Sequence, residues 1–396
     1  MLKQLFFRSG AYFVGLVSVK LVATFLFVFL ARFLQPDLFG KLTYFLTILS
    51  LLTLITDWGL VQWFQVHRTS TNEATLISRL VSARFFTLTV SVCIFLLFSL
   101  SFHSFSLVES VLFIALLVPE AFLSITDGYY LVRHRSVLIA FKQLSKYIFP
   151  ILLVVFVQDK LTMQNVILSF LISSICTLVW YVPKKFFQVP SFSVSQIKET
   201  LSESSSYATL ILTSALYSRG DAIILESKLG NTALGLYSAG YRYLDAMSLL
   251  PAAFAQNLFH ISAQKESINK QKIITMTAVM GGLGVLFGAC LFVFSHFLTT
   301  GLLGSAYEGT EIIVKIFAVV TVLLFINSPL STIVQSSTVV KQFLPWGIMN
   351  TVLNIGLNVV LIPLAGGIGA AFVMLFTEAT GLLINLYFVK QRLKKE

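Results

Sequence analysis

About twelve stretches of some 20 apolar residues follow one another along this chain. A helix needs about 20 such residues to cross the ~30 Å hydrocarbon core of a bilayer. In lipid every backbone amide and carbonyl must be satisfied within the protein, so an apolar stretch of this length is restricted to a helix. The runs cover approximately 9–32, 40–64, 84–103, 107–131, 139–158, 162–182, 206–227, 232–259, 273–297, 310–335, 344–363 and 366–389. The fifth is the least regular, because Lys142 and Lys146 sit in its first turns. Only 11% of residues are charged and 57% are hydrophobic, whereas soluble domains carry about 25% charged residues. The predicted fold is an all-α polytopic membrane protein with about 12 transmembrane helices. Its 37 Phe suit a lipid-facing surface.

The first run is longer than the ~7–15 residues of a signal-peptide core and ends without a small-residue cleavage pattern, so it reads as a retained helix. Cys93, Cys176 and Cys290 are scattered through apolar runs. An odd number placed this way argues against a disulfide framework. No Cys/His cluster has metal-ligand spacing.

Basic residues fall on alternate loops. One set holds Lys3 and Arg8; Arg68, Arg79 and Arg84; Arg133, Arg135, Lys142 and Lys146; Lys184, Lys185 and Lys198; Lys265, Lys270 and Lys272; Lys341; and Lys390, Arg392, Lys394 and Lys395. The other set holds only Arg32, Lys41, Lys160 and Lys228. This asymmetry places the first set, and both termini, in the cytoplasm. The net charge of +11 is then chiefly a topology signal facing anionic headgroups. Nucleic-acid binding needs a basic face on a folded domain, and no loop is long enough to make one. The longest polar stretch, 183–205, divides the chain into an N-terminal lobe of six spans (1–182) and a C-terminal lobe of six (206–396). Within this inter-lobe linker, Ile197 to Leu201 form either a short helix on the membrane surface or plain solvated chain.

The halves resemble each other. Leu34-Gln35-Pro36-Asp37-Leu38-Phe39-Gly40 aligns without gaps on Leu229-Gly230-Asn231-Thr232-Ala233-Leu234-Gly235, and the same register pairs Leu54 with Leu249 and Phe64 with Phe259. Each segment is a short external turn between the first two helices of its half. Two halves with the same orientation are parallel repeats related by an axis along the membrane normal.

Charges inside apolar runs cost about 2.5–3.5 kcal/mol each at the helix centre and mark functional positions. Lys20 lies about 11 residues from either end of the first span, near the bilayer midplane. Arg219 and Asp221 lie near the middle of the seventh span. Arg242 and Asp245, three apart on the eighth, share a face and can pair. Lys315 is near the external end of the tenth span, either snorkelling to the interface or facing a cavity. Lys20, Arg219 and Arg242 sit on helices one, seven and eight, at matching places in the two halves. An arginine at this depth needs a counter-charge or water, and its fork suits phosphate. Two readings stay open: structural ion pairs between helices, or an anion-attracting cavity. Asp57 lies on a polar stripe with Thr43, Thr47 and Ser50, and is assigned to a wet cavity wall, the hydroxyls to helix packing. Glu120 follows Pro119 and is either a protonatable site or a buried hydrogen-bonded acid. Glu378 is similarly open, and Asp127 is assigned to the interface. Pro119, Pro251, Pro329, Pro345 and Pro363, and the glycines from Gly281 to Gly288, permit bending or close packing. Gly-rich phosphate loops, HExxH and G-x-S-x-G motifs are absent, which argues against an enzyme and an ATP-driven pump.

One set of short motifs, in order, carries a family resemblance. It comprises Leu30-Ala31-Arg32-Phe33-Leu34, Phe39-Gly40, Asp57-Trp58-Gly59-Leu60, Asp221-Ala222-Ile223-Ile224-Leu225, Leu229-Gly230, and Gly235-Leu236-Tyr237-Ser238-Ala239 with Tyr241-Arg242. This resembles the polysaccharide transporters of the multidrug/oligosaccharidyl-lipid/polysaccharide (MOP) flippase superfamily, nearest its O-antigen repeat-unit (Wzx-type) branch, over essentially the whole chain. The resemblance implies two six-helix MATE-like lobes and a central cavity lined by spans one, two, seven and eight. On those helices fall Lys20, Asp57, Arg219, Asp221, Arg242 and Asp245. It implies a substrate, undecaprenyl-diphosphate-linked oligosaccharide, flipped to the periplasmic leaflet of the bacterial inner membrane, with a polysaccharide polymerase and a chain-length regulator as partners besides membrane lipid. On this reading Lys20, Arg219 and Arg242 bind the substrate. No cofactor is expected. Proton or sodium coupling would run through Asp57, Glu120, Asp221 or Asp245. The rival readings are a cation-coupled multidrug exporter, a polyprenyl-sugar polymerase and a peptidoglycan-precursor flippase. Three central cations argue against the first, the lack of a large external loop against the second, and the lack of two further C-terminal helices against the third.

Overall fold

The structure, a computed structural model, describes residues 2–67, 72–102, 105–133, 135–157, 161–187, 193–263, 270–337 and 339–395. Arg68, Lys160 and Lys265 of the charge pattern lie outside them. All regular elements among the described residues are helical. The α-helices are α1 (Leu2–Asp57), α2 (Leu60–His67), α3 (Glu73–Phe102), α4 (Leu107–Val132), α5 (Ser136–Ser145) and α6 (Ile148–Phe156), followed by α7 (Met163–Tyr181), α8 (Val194–Met247), α9 (Leu249–Ala263), α10 (Lys270–Val293), α11 (Thr310–Gln335) and α12 (Val340–Lys395).

Eight helical stretches among the described residues are long and apolar enough to cross a membrane, which makes this a multi-pass membrane protein. Two of them, Val17–His67 and Gln342–Lys394, have 51 and 53 residues. At 1.5 Å per residue each is over 75 Å long, about twice the thickness of a bilayer core. The 54-residue α8 is not among the eight, because Arg219, Asp221, Glu226, Lys228, Arg242 and Asp245 dilute its apolar windows. The three long helices are each interrupted at one residue of positive φ: Gln35 in α1 (φ 61°, ψ 164°), Gly230 in α8 (φ 79°, ψ −176°) and Gly366 in α12 (φ 58°, ψ −140°). The repeat register that aligns Leu34 with Leu229 aligns Gln35 with Gly230, so the matched heptapeptides break at the same position.

The chain forms two compact units. Unit 1 holds Met1–Leu26 and Phe45–Leu216; unit 2 holds Phe27–Tyr44 and Tyr217–Glu396.

Unit 1 is built on two apolar clusters. Trp63, Leu80, Leu123, Ile139 and Phe186 anchor the first, where α2, α3, α4 and α5 meet. The second is a ring stack: Phe95 and Phe113 lie face to face at 3.8 Å, with Phe45 edge-on at 5.0 Å. All three are fully buried. The phenylalanines assigned from composition to the lipid face therefore also supply this core, because stacked rings bury large areas with specific geometry. The start of α4 is fixed by a capping box readable in Ser106-Leu107-Val108-Glu109: the Glu109 amide donates to the Ser106 hydroxyl at 3.3 Å, and the Ser106 amide to the Glu109 carboxylate at 2.8 Å.

The predicted linker becomes helical at Val194 and continues without interruption into α8. Its first turns dock against α2 and α3 within unit 1. Trp63 Nε1 donates to Glu203 at 2.7 Å and Trp58 Nε1 to the Leu201 carbonyl at 3.3 Å. Arg79 donates to Thr200 at 3.1 Å and pairs with Glu199 and Glu203 at 3.4 and 3.5 Å. The dock requires the reversal at Trp58 (φ 45°) and Gly59 (φ 71°). A Cβ on Gly59 would sit 2.8 Å from the Ser204 carbonyl oxygen, so no side chain fits there.

In unit 2 the two matched hairpins pack against each other. A Cβ on Gly40 would lie 1.8 Å from the Asn231 carbonyl oxygen; one on Gly235 would lie 1.9 Å from that of Pro36. The contact is reciprocal, since the register equates Gly40 with Gly235 and Pro36 with Asn231. Thr232 adds a hydrogen bond to Asp37 at 3.2 Å. Tyr307, fully buried, donates to the Ala31 carbonyl at 2.8 Å and fastens the same segment to the turn before α11. Gly284 and Gly288 of α10 admit Phe325 and Ala318 of α11 to close contact.

Candidate functional site

In unit 1 the intramembrane charges are paired. Asp57, expected on a wet wall, is 6% exposed and accepts from Arg84 Nη2 at 2.6 Å. Arg84, counted in sequence as a loop residue, is 0% exposed. A buried guanidinium and carboxylate hold each other because separating them strands a charge in a medium of low dielectric. Glu120 accepts from Lys146 at 2.6 Å and from Ser174 at 2.7 Å. One helical turn away, the buried Lys142 donates to Asp127, to the Leu123 carbonyl at 2.8 Å and to Thr126 at 3.2 Å. The two lysines that made the fifth span irregular thus answer two acids of α4, two turns apart. Asp127 is thus held by Lys142, and Glu120 is a buried acid hydrogen-bonded to Lys146 and Ser174. Lys20 is half-buried on α1 in the same unit.

In unit 2, Arg219, Asp221, Arg242 and Asp245 are all half-buried. The break at Gly230 folds the two arms of α8 together, and Tyr237 donates its hydroxyl to the Asp221 carboxylate. Asp221 also accepts the Ala222 amide at 2.7 Å. Tyr241 lies within electrostatic range of all four charged groups, and its ring meets Phe317 edge-on at 5.9 Å. The Arg242 guanidinium lies 3.8 Å from the Phe27 ring centroid, a cation–π contact on the face of its planar fork. Two cations and two carboxylates thus gather around one tyrosine. Lys315 pairs with Glu311, one turn before it, at 2.6 Å and is 38% exposed.

A pocket of about 440 Å³ in unit 2 is lined by Tyr217, Ser328, Asn327, Asn350, Thr377, Glu378 and Asn385 among others. Glu378 accepts from Asn327 at 2.9 Å and from Tyr217 at 3.3 Å. Asn385 donates to Asn327 at 3.2 Å, and Thr380 donates to Asn350 at 2.7 Å. Unlike Asp57, Glu120 and Asp127, Glu378 meets neutral donors and no cationic side chain among the described residues.

Sequence reasoning left Glu378 undecided and passed over the asparagines. A signal existed: Asn350, Asn354 and Asn358 recur every four residues, one face of a helix. The structure joins them in a chain, Asn358 donating to Asn354 at 3.1 Å and Asn354 to Thr377 at 3.1 Å. Amides carry no formal charge, so a search for intramembrane charges misses them.

The model of the polysaccharide biosynthesis protein family matches residues 8–261, well over half of the chain. No curated protein matches the sequence. Among solved structures, the lipid II flippase MurJ in an inward closed conformation superposes with a TM-score of 0.77 at 13% identity, covering 96% of this chain and 87% of that one. An inward-facing multidrug resistance MATE family transporter of the MOP superfamily gives 0.71 at 11% identity, covering 96% of each. A eukaryotic MATE transporter gives 0.64 at 11%, covering 99% and 97%. At such identities these likenesses establish the fold alone. On the family match, the chain belongs to the polysaccharide biosynthesis protein family, built on the fold of MOP-superfamily transporters.

Proposed function

We propose that the protein is a flippase for undecaprenyl-diphosphate-linked oligosaccharide, moving it from the cytoplasmic to the periplasmic leaflet of the bacterial inner membrane. The observation that carries the reading is the pair of fixed cations, Arg219 and Arg242, held at membrane depth beside Tyr241 in a member of a polysaccharide family. A pyrophosphate offers two adjacent anionic groups, and arginine meets such groups with paired hydrogen bonds. A lipid-moving role is also named for one solved structure of this fold, the lipid II flippase. Lys20, in unit 1, is proposed to attract the same charge. The organisation that goes with this is twelve spans, six in 1–182 and six in 206–396, with both termini in the cytoplasm.

Ion coupling is proposed at Glu378, because Asp57 and Glu120 are committed to Arg84 and Lys146. Replacing Glu378 with Gln removes the charge and keeps one acceptor oxygen for the Asn327 amide, while Tyr217 then has to accept from the new amide instead of donating. In vesicles, E378Q is expected to lose the response of transport to an imposed proton or sodium gradient; an unchanged response would reject the assignment.

The function is tested by Arg219→Ala and Arg242→Ala, made singly in a strain deleted for the gene, with surface polysaccharide and inserted protein measured together. The expected result is loss of polysaccharide at normal protein level. If the deletion itself leaves surface polysaccharide unchanged, the reading fails and export of cationic drugs becomes the function to test.

A further inference from the structure

On the surface of unit 2, α10, α11 and α12 wall a groove of about 610 Å³. Its floor belongs to the buried apolar cluster around Ile273, Leu330 and Val389. Its rim carries Ile274 and Leu386, each about half exposed. At one end stand Lys270, the first residue of α10, and Lys390, near the end of α12, both exposed. The lining contains no acidic residue.

The length of the groove identifies its occupant. Along α10 it runs from Lys270 to Gly281, eleven residues, or about 16 Å at the helical rise. That is half of a ~30 Å hydrocarbon core, one leaflet. A convex helix face touches a lipid tail on one side only. This groove touches it on three helices, and its cations lie at the end where a headgroup sits. Basic pockets between spanning helices at the membrane surface recognise phosphate-bearing lipid headgroups. A polyprenyl chain is far longer than one leaflet and would overrun this groove.

We propose that the groove binds an anionic glycerophospholipid of the leaflet facing the basic loops. One acyl chain lies between α10, α11 and α12, and the phosphate is held by Lys270 and Lys390. The site is separate from the arginines of α8, so it stands or falls independently of the flippase reading.

Native mass spectrometry of the purified full-length protein, titrated with dioleoyl phosphatidylglycerol or dioleoyl phosphatidylcholine, tests this. The wild type is expected to retain one phosphatidylglycerol about tenfold more tightly than phosphatidylcholine. K270A/K390A is expected to lose that preference. Ala278→Trp, at an exposed position on the groove wall, fills the trench and leaves both lysines in place. It is expected to lose phosphatidylglycerol as well, with the protein still folded. Equal retention of the two lipids by the wild type would overturn the proposal. So would full retention by A278W, which would mean surface attraction to lysines alone. Displacement of phosphatidylglycerol by polyprenyl phosphate at equal concentration would overturn the assignment of the occupant.

Discussion

A charged side chain in this protein is interpretable only with its partner. Asp57 and Arg84 are 27 positions apart in sequence and 2.6 Å apart in space, and neither is informative alone. Breaking such a buried pair by removing one partner costs about 3–5 kcal/mol, whereas removing both charges costs far less. Arg84→Met is therefore expected to lower the melting temperature of the detergent-purified protein sharply, and Asp57→Asn on the same background to restore most of it. A double variant no more stable than R84M would show that the pair is not the source of the loss. Lys20, Arg219 and Arg242 were legible in the sequence as cations within apolar runs, whereas Arg84 was counted with a loop. Which charges are neutralised was not legible. Lys142 and Lys146 face acids on the preceding helix, and that pairing depends on how α4 and α5 rotate against each other.

At the level of elements, the repeat was the most legible feature and the least complete. Aligning 34–40 with 229–235 located two hairpins with the same glycine, and the structure presses those glycines onto each other's partner strands of chain. The sequence did not reveal that Gln35 would adopt the conformation of its counterpart Gly230. With φ 61° and ψ 164°, Gln35 occupies a region that costs a residue with a Cβ about 1–3 kcal/mol. Gln35→Gly is therefore expected to raise stability by about 1 kcal/mol after the entropy of the added glycine is subtracted. Gly40→Ala is expected to do the reverse, by about 1–3 kcal/mol, because its Cβ would overlap the Asn231 carbonyl. Gly282→Ala, where an added Cβ meets nothing within 4 Å, serves as the control. Thermal melts of the three variants check both signs together; a stable G40A would mean that the hairpins do not close on each other as described. The linker shows the opposite limit. Its polar composition left a surface helix and a solvated connection both open, and Trp58, Trp63 and Arg79 hold its first turns through contacts that no local pattern announces.

For the whole molecule, hydropathy alone dictated an all-helical multi-pass fold, because lipid leaves the backbone no other solution. The division of the chain was less direct. Phe27–Tyr44 clusters with the C-terminal unit, since the reciprocal glycine contact and Tyr307 bind that hairpin more closely than its own sequence neighbours do. The proposed function has the fixed cations of α8 meet a phosphate-bearing lipid. The most direct measurement uses proteoliposomes containing undecaprenyl-diphosphate-linked oligosaccharide in both leaflets, with an external, membrane-impermeant glycosidase. With wild-type protein the pool protected in the inner leaflet is expected to become cleavable over time, and with R219A/R242A protein it stays protected. If wild-type protein, folded and reconstituted, leaves that inner pool as protected as in protein-free vesicles, the protein does not move this lipid.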